Sequence, residues 1–252
     1  MFEPIATRIT PIKQRRLTPE LMDDPAVDRS QLDGALRFIR AINRRMGGVS
    51  SLIRHLERWS PRWPTDRPVT LLDVGTGSAD LPLEAVRWAR TRGLDLRVTG
   101  VDLHETTLEL GREHIASEPD LADAITLQHA DALVLDDTFA DGTFDYVHAG
   151  LFLHHLTDIQ IKLVLRMMDR IAARGIIWND LVRSTVGRAF IHAVTIGKPE
   201  IIRHDARVSV EAGFTQAEVL DYARRLDLTY CDYSWNLFTH RFTLAGERPH
   251  AR

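Results

Sequence analysis

Two carboxylates flank a glycine turn in the segment VTLLDVGTGSADLP, residues 69–82. The apolar run before the turn predicts a strand, and the residues after it predict a helix. Gly75 and Gly77 let the backbone turn tightly and let a ligand lie against it. In open α/β sheets such a turn places the N–H groups of a helix N-terminus at the carboxyl end of a strand, where ligands bind. The segment therefore predicts a nucleotide-binding loop.

The acidic residues around this loop indicate which nucleotide it suits. A second predicted strand, LRVTGVD, ends in Asp102, whose carboxylate can accept both ribose hydroxyls of an adenosine. A dinucleotide loop of the G-x-G-x-x-G type needs a third glycine where this chain has Asp80, and a carboxylate beside a pyrophosphate is a like-charge contact. A Walker lysine is absent. A ligand that joins an adenosine to a sulfonium and an ammonium is S-adenosylmethionine, and it suits these acids better.

Eleven histidines offer candidate bases, and their positions along the chain distinguish them. His154 and His155 follow the fourth predicted strand in LFLHHL, at the edge where the reactive end of the ligand would lie. His204 and Asp205 fall in a basic segment, residues 198–213, for which we predict irregular structure. Histidine is the usual base for a hydroxyl because its pKa lies near neutrality. His154 and His204 are therefore the candidate catalytic residues, although either imidazole could be purely structural.

The elements that must position these residues alternate in type from residue 69 onward. Five predicted strands, separated mostly by helices of ten or more residues, favour a parallel sheet covered on both faces. The strands are VTLLDV, LRVTGVD, AITLQHAD, FDYVHAG and GIIWNDL. Two further runs, LTYCDYSW and LFTHRFTLAGE, predict a closing antiparallel hairpin. The expected fold is α/β, with a doubly wound, mostly parallel sheet of seven strands.

The Pro-rich break SPRWPTDRP divides the chain into two expected parts. Residues 1–66 are expected to form a helical lid, with one helix over SQLDGALRFIRAINRRMGG, where Ser30 can cap the start, and a second over SSLIRHLERW. Residues 67–252 are expected to form the ligand-binding domain, with a substrate insertion at about 184–214. The apolar stripe of the first helix would cover the acceptor pocket or pack on a second subunit, which would give a homodimer.

The motifs of residues 69–156 resemble those of the class I, Rossmann-type S-adenosylmethionine-dependent methyltransferases. Within this family the chain is similar to bacterial small-molecule enzymes of the ubiquinone/menaquinone methyltransferase type. LLDVGTGSADLP resembles the first family motif, VDL the second, HADAL the third and FDYVHAGLFLHHL the fourth. The resemblance implies an enzyme that binds S-adenosylmethionine, methylates a small-molecule acceptor and releases S-adenosylhomocysteine. Gly150 departs from the family pattern, where a polar residue is common, so a backbone contact is expected there.

The resemblance also implies the residues of the cofactor site. They are Asp73, Gly75, Thr76, Gly77 and Asp80 at the methionine end, Asp102 and Leu103 at the ribose and adenine, Asp131 and Ala132 at the adenine amino group, and Ala149 and Gly150 beneath the sulfonium. N-terminal helices of the family lie over the methionine, so Arg44 is expected to pair with its carboxylate. Arg44 could instead serve only the dipole of its own helix.

For the acceptor we expect a phenolic or polyketide-like hydroxyl, methylated on oxygen with a histidine base. The candidate acceptor-binding residues are His155, Asn179, Asp180 and Asp205. Four aromatic residues are expected to supply an apolar pocket, namely Trp178, Phe190, Trp235 and Phe238. Asn179 and Asp180 could equally begin a turn after the fifth strand.

Four other functions are weighed against this one. Methylation of a ring carbon of a quinone is the alternative closest in chemistry. A nucleic-acid or protein amide methyltransferase is disfavoured because HAGL stands where such enzymes carry Asn/Asp-Pro-Pro-Phe/Tyr, and because a formal charge of −3 leaves no basic surface for nucleic acid. Asp80 disfavours an NAD-dependent oxidoreductase. A non-catalytic module that binds S-adenosylmethionine stays open.

Composition limits the remaining possibilities. A single cysteine, Cys231, excludes an internal disulfide framework and any multi-cysteine metal site, and we predict no metal ligands. No apolar run approaches the ~20 residues that a membrane span requires, and residues 1–16 show no apolar core of a secretory signal. We therefore expect a cytoplasmic protein.

Overall fold

Seven strands form one mixed sheet in the order β3-β2-β1-β4-β5-β7-β6 in the computed structural model, which describes residues 14–249. The strands are β1 Val69–Val74, β2 Leu96–Asp102, β3 Ile125–His129, β4 Phe144–Gly150, β5 Ala172–Leu181, β6 Asp232–Asn236 and β7 Arg241–Glu247. Strands β1 to β5 run parallel, and β7 and β6 add an antiparallel hairpin at the β5 edge. The predicted fold class is confirmed.

Nine α-helices connect or cover these strands within the described residues. They are α1 Arg29–Arg45, α2 Gly48–Trp59, α3 Asp80–Thr91, α4 Glu105–Ala116, α5 Pro119–Ala122, α6 Asp158–Ile171, α7 Thr185–Val194, α8 Glu200–Ala212 and α9 Gln216–Arg225. None of the helices in this range is long and apolar enough to cross a lipid bilayer. The division into segments 1–66 and 67–252 stays a prediction, and residues 1–13 and 250–252 of those segments lie outside the described residues.

Two apolar cores lie on opposite faces of the sheet because successive side chains of a strand point to opposite faces. Leu72 and Ile176 belong to the core that α6 and α9 cover, whereas their neighbours Leu71 and Ile177 belong to the core that α2 and α3 cover. Strand β1 leads to β2 and β3 on one side, and β4 leads to β5 on the other. The strand order therefore reverses between β1 and β4, where open α/β sheets bind their ligands.

The predicted irregular structure of residues 198–213 is wrong, because the chain there forms helix α8. Pro199 precedes the first turn, a place where proline is tolerated because the N–H groups have no partner in the helix. Ile201, Asp205 and Val208 recur at helical spacing on its buried face. The many charges of this segment lie on the opposite, solvated face and obscure the periodicity in the sequence.

The start of α1 also differs from the prediction. Asp28, rather than Ser30, caps the helix, and its carboxylate accepts hydrogen bonds from the N–H groups of Ser30 and Gln31. The apolar stripe of α1 packs on its own chain, where Leu32 and Leu36 are buried.

Gly175 of β5 lies so close to β7 that a side chain at this position would overlap the backbone of β7. A Cβ at this position would overlap the carbonyl oxygen of Gly246, a backbone atom that cannot move aside without breaking the strand pairing. We expect Gly175→Ala to lower the free energy of unfolding by about 1–3 kcal/mol, measured by urea denaturation.

Gly34 in α1 is the matched control, because a Cβ there would meet no atom within 4 Å. Gly34→Ala should raise the free energy of unfolding by about 0.5–1 kcal/mol, since alanine favours the helix. Equal effects of the two substitutions would contradict the close packing of β5 on β7.

Candidate functional site

A cavity of about 520 Å³ opens at the carboxyl edge of the sheet, where β1 and β4 diverge. Helices α1, α7 and α8 contribute side chains to its walls. Most of the predicted site residues line it, and these are Asp73, Gly75, Thr76, Gly77, Asp80, Asp102, Leu103, Asp131, Ala132, Gly150, His154, His155 and Asp205. Residues far apart in the sequence thus meet in one cavity.

The glycine loop after β1 is held to the end of β2 by Asp102. One carboxylate oxygen accepts a hydrogen bond from the backbone N–H of Gly77 at 2.9 Å, and the other accepts from that of His104 at 3.0 Å. Gly75 and Gly77 have φ values of 69° and 55°, in the left-handed region. Burial raises the pKa of Asp102, and the two hydrogen bonds only partly oppose that effect.

Asp73 joins β1 to the glycine loop and to β4. The hydroxyl of Thr76 donates to one of its carboxylate oxygens at 2.7 Å, and Nδ1 of His148 lies 2.6 Å from the other. All three side chains are buried. Because a carboxylate only accepts, His148 must carry its proton on Nδ1. The loop is thereby fixed in position by side chains beneath the cavity floor.

His154 lines the cavity from the segment after β4. Its Nδ1 lies 2.7 Å from Oδ1 of Asp180, and its Nε2 lies 3.4 Å from Oε1 of Glu20. Burial lowers the pKa of His154, but the charges of Asp180 and Glu20 and the hydrogen bond with Asp180 outweigh it and raise the pKa to about 10. The imidazole is therefore protonated at neutral pH unless another cation takes its place.

Arg44 does not reach this cavity, contrary to the prediction. Its guanidinium lies on the surface and pairs with Glu84 of α3 at 2.6 Å, because Arg44 lies on a different face of α1 from Ile42 and Asn43, which line the cavity. Arg241, at the start of β7, reaches the cavity instead. Its Nη1 donates to Asn179 at 3.2 Å, and its Nη2 is buried with no hydrogen-bond partner in residues 14–249.

The buried guanidinium of Arg241 makes no ion pair within 4 Å with any carboxylate of the described chain. Burial lowers its pKa to about 10, while the charges of Asp180 and Asp80 oppose that shift. A buried cation without a close counter-ion is unfavourable, so Arg241 favours an anionic group of a ligand. Asn43 lies beside it and donates to Asp80 at 2.9 Å.

Four other predicted residues lie outside the cavity wall. Ala149 is buried within β4, and His204 turns away along α8 to pair with Asp205 at 2.9 Å. Asn179 and Asp180 lie beneath the wall at the end of β5, where they hold Arg241 and His154. Asn179 and Asp180 are thus positioned to act through other side chains.

The prediction that four aromatic residues form the apolar pocket is also wrong. Trp178 is fully buried in the core, and Trp235 and Phe238 are 52% and 84% exposed. None of the four predicted aromatic residues lines the cavity. Much of its apolar wall comes from α1, α7, α8 and the segment after β4, and these residues include Leu36, Phe38, Ile39, Ile42, Phe152, Leu156, Ile191, Ile202 and Val210.

Comparison with known proteins agrees with this geometry. Residues 71–175, which include the glycine loop and β1 to β4, match the family model described as "Methyltransferase domain". By this match residues 71–175 have the sequence pattern of a methyltransferase domain. It is 29% identical over 158 residues to a demethylmenaquinone methyltransferase of Staphylococcus aureus, a match that covers 61% of each chain. The match therefore spans about three fifths of that relative's length.

Solved structures of methyltransferases share the fold. The magnesium protoporphyrin IX methyltransferase of Synechocystis PCC 6803 with bound S-adenosylhomocysteine has a TM-score of 0.55 at 14% identity, over 88% of both chains. The CurJ carbon methyltransferase has a TM-score of 0.59 at 14% identity, over 88% of this chain and 61% of its own. At these identities the likeness concerns the fold alone.

Glu20 and Arg241 are site residues that the sequence analysis missed. Arg241 begins a buried apolar strand. A charged residue in such a run is unfavourable unless it has a partner, so its presence in the sequence could have indicated a site residue. Glu20 lies in a segment without periodicity, and no pattern around it indicates that it reaches the cavity. It is placed by Asp205, whose carboxylate accepts from the N–H groups of Leu21 and Met22 at 2.7 and 3.1 Å.

The hydrogen bond between Thr76 and Asp73 should contribute measurably to the free energy of unfolding. Thr76→Val removes a buried donor and leaves a buried carboxylate oxygen without it, so we expect the free energy of unfolding to fall by about 1–3 kcal/mol. Thr126→Val, at an exposed position of β3, is the control and should change it little. Urea denaturation of both variants is the measurement, and equal losses would contradict the role of Thr76 in fixing the loop.

Proposed function

We propose that the protein transfers a methyl group from S-adenosylmethionine to a small molecule. One observation carries this proposal: one cavity is lined both by the glycine loop of the methyltransferase domain and by a cluster of histidines and carboxylates. The cofactor and an acceptor could therefore lie end to end, which is the arrangement that in-line methyl transfer requires. The cofactor itself supplies the activated methyl group.

The cavity offers a partner for each part of S-adenosylmethionine. Asp102 faces the cavity at the ribose position, and Leu103, with an exposed side chain, offers an apolar surface to the adenine. Asp131 at the third strand is the proposed partner of the adenine amino group, although it also caps the turn that follows by accepting from Leu133 at 2.8 Å. The backbone at Gly150 is proposed to pass beneath the sulfonium.

Arg241 is the proposed partner of the methionine carboxylate, in place of Arg44. Its unpaired Nη2 can donate to a carboxylate, and a charge-assisted hydrogen bond is about twice as strong as a neutral one. Burial raises the pKa of Asp80 nearby, despite the hydrogen bond from Asn43 that opposes this. The ammonium of the same ligand would stabilise Asp80 as a carboxylate.

For the acceptor we propose a phenolic or polyketide-like hydroxyl that lies beside Nε2 of His154. The apolar wall of the cavity suits an aromatic ring, and Asp180 fixes the orientation of the imidazole. In this proposal His154 takes the hydroxyl proton as the acceptor oxygen attacks the methyl carbon. Only an imidazole with a free Nε2 can do so, and the raised pKa opposes that form at neutral pH.

The state of His154 favours a second candidate, methylation of a ring carbon. A protonated imidazole can stabilise the oxyanion of a hydroquinone whose carbon attacks the methyl group, without accepting a proton itself. The relative from Staphylococcus aureus is named for demethylmenaquinone, and one structural neighbour is named as a carbon methyltransferase. A panel of phenols and hydroquinones, analysed for O-methyl and C-methyl products, separates the two candidates.

Calorimetric titration with S-adenosylhomocysteine tests the cofactor part of the proposal. We expect one site per chain, and no binding of NAD because a pyrophosphate would meet Asp80 and Asp73. Arg241→Gln should weaken S-adenosylhomocysteine binding about 10- to 100-fold, which corresponds to the loss of a charged hydrogen bond.

Arg44→Gln is the matched control, because the structure places this second arginine on Glu84. Its affinity for S-adenosylhomocysteine should equal that of the unmodified protein. Binding of NAD in preference to S-adenosylhomocysteine would refute the proposed cofactor, and a loss confined to Arg44→Gln would refute the role of Arg241.

Replacement of His154 tests the acceptor end separately. His154→Gln should reduce methyl transfer to the phenol and hydroquinone panel by about 100-fold or more, since a base or charged donor next to the acceptor is lost. Its affinity for S-adenosylhomocysteine should stay within about twofold, because the side chain of His154 contacts Asp180 and Glu20 and makes no hydrogen bond to the glycine loop within residues 14–249. Full turnover by this variant would show that His154 has no part in the reaction.

A further inference from the structure

Three ligand atoms of the kind that bind transition metals converge at the acceptor end of the cavity. Oε1 of Glu20 lies 3.4 Å from Nε2 of His154 and 3.9 Å from Nε2 of His155, and one ligand atom from each of the three residues lies within 4.8 Å of the others. Tetrahedral zinc with bonds of about 2.0–2.2 Å holds its ligand atoms about 3.3 Å apart. We infer that Glu20, His154 and His155 bind a divalent transition-metal ion such as Zn²⁺.

Both histidines have the second contact that metal-binding histidines require. Nδ1 of His154 lies 2.7 Å from a carboxylate oxygen of Asp180, and Nδ1 of His155 lies 3.0 Å from one of Asp23. A carboxylate that accepts from Nδ1 fixes the tautomer, so the lone pair of Nε2 faces the metal. The arrangement occurs twice here, and in both cases Nε2 points to the same carboxylate, that of Glu20.

The cluster as it stands leaves a polar atom without a partner. Nε2 of His154 is buried and makes no hydrogen bond of acceptable geometry in residues 14–249, despite its closeness to Glu20. Glu20 is 8% exposed, and in the same range only His154 and His155 form ion pairs with it. Oε1 of Glu20 accepts a hydrogen bond from the hydroxyl of Ser209, and a carboxylate oxygen can also bind a cation. A cation between Glu20 and His154 would give the unpartnered Nε2 a contact.

The negative charge of the surroundings also favours a divalent cation. Asp23 and Asp180 contact the two histidines, and Asp205 holds the backbone next to Glu20. The nearby basic groups include His204, which contacts Asp205, and the guanidiniums of Arg241 and of Arg15, which donates to the backbone carbonyl of His154 at 3.0 Å. Oxygen and imidazole ligands in this ratio are those of His₂Glu zinc sites, which keep a fourth position open.

The open position would face the cavity, because Glu20, His154 and His155 all line it. This part of the inference rests on the proposed function. An acceptor hydroxyl bound there loses its proton to water, since the ion lowers the pKa of a bound oxygen. The oxygen then forms a bond to the methyl carbon, the S–C bond breaks, and its electron pair remains on sulfur. His154 acts as a ligand in this reaction rather than as a base.

Metal binding can be measured without an acceptor. Untagged full-length protein is treated with EDTA, dialysed and titrated with ZnCl₂ by calorimetry, and with CoCl₂ by visible absorption, where tetrahedral sites absorb strongly. We expect one ion per chain. His155→Ala and Glu20→Gln should each weaken Zn²⁺ binding by about 100-fold or more, and Asp23→Asn by about 10- to 100-fold.

His129→Ala, an exposed histidine at the end of β3, is the control and should leave the affinity unchanged. The thermal unfolding midpoint of each EDTA-treated variant shows whether the variant is folded. Of the three ligands His155 is the most solvent-exposed, so His155→Ala should disturb folding least. No saturable binding, or equal affinity in His155→Ala, Glu20→Gln and His129→Ala, would overturn the inference.

A titration with S-adenosylhomocysteine separates this result from the proposed function. The EDTA-treated protein should bind S-adenosylhomocysteine normally, because the side chains of Glu20, His154 and His155 make no hydrogen bond to the glycine loop within residues 14–249. Normal S-adenosylhomocysteine binding without Zn²⁺ binding would contradict the inferred metal site and leave the proposed methyl transfer intact. Zn²⁺ binding without S-adenosylhomocysteine binding would uphold the metal site and remove the proposed methyl transfer.

Discussion

Burial of carboxylates at the carboxyl edge of the sheet is the constraint on which this site depends. Asp73, Asp102 and Asp180 end or nearly end three of the parallel strands, and a carboxylate taken out of water is unfavourable unless donors surround it. The donors come from different parts of the chain: a threonine and a histidine for Asp73, two backbone N–H groups for Asp102, and a histidine, an indole and two backbone N–H groups for Asp180. Each carboxylate therefore fixes a loop to a strand, and the three together shape one rigid cavity.

The same physics distinguishes the two ends of that cavity. At the cofactor end the carboxylates are satisfied mainly by neutral donors, while the buried guanidinium of Arg241 has no counter-ion nearby, so this end suits a ligand that carries its own anion and its own cation. At the acceptor end Glu20 and Asp180 enclose an imidazole, so this end holds positive charge, either as a proton or as a metal ion. A zwitterionic cofactor and a neutral acceptor that becomes an anion during the reaction match this division.

The sequence predicted the parts of this account that are local. The glycine turn, Asp102 and the strands around them lie within about thirty residues, and their pattern determines their geometry. Arg241 and Glu20 could not be assigned in this way, because each reaches the cavity only after the whole sheet and α8 have formed. The position of Arg44 at the end of α1 made it a candidate. The rotation of α1 about its axis, which the sequence does not show, determines whether Arg44 contacts Glu84 or the cavity. The helix α8 was missed because charged residues alternate with its apolar residues along the sequence and obscure the helical period.

The roles given to Asp102, Leu103 and Arg241 all require the cofactor to lie in one position in the cavity. The most direct test is a crystal structure of the protein with S-adenosylhomocysteine. The account predicts the ribose hydroxyls at Asp102, the adenine against Leu103 and the amino-acid carboxylate on Arg241, with the sulfur directed toward His154. Density for the ligand elsewhere, or with its carboxylate on Arg44 and Arg241 still unpaired, would contradict it.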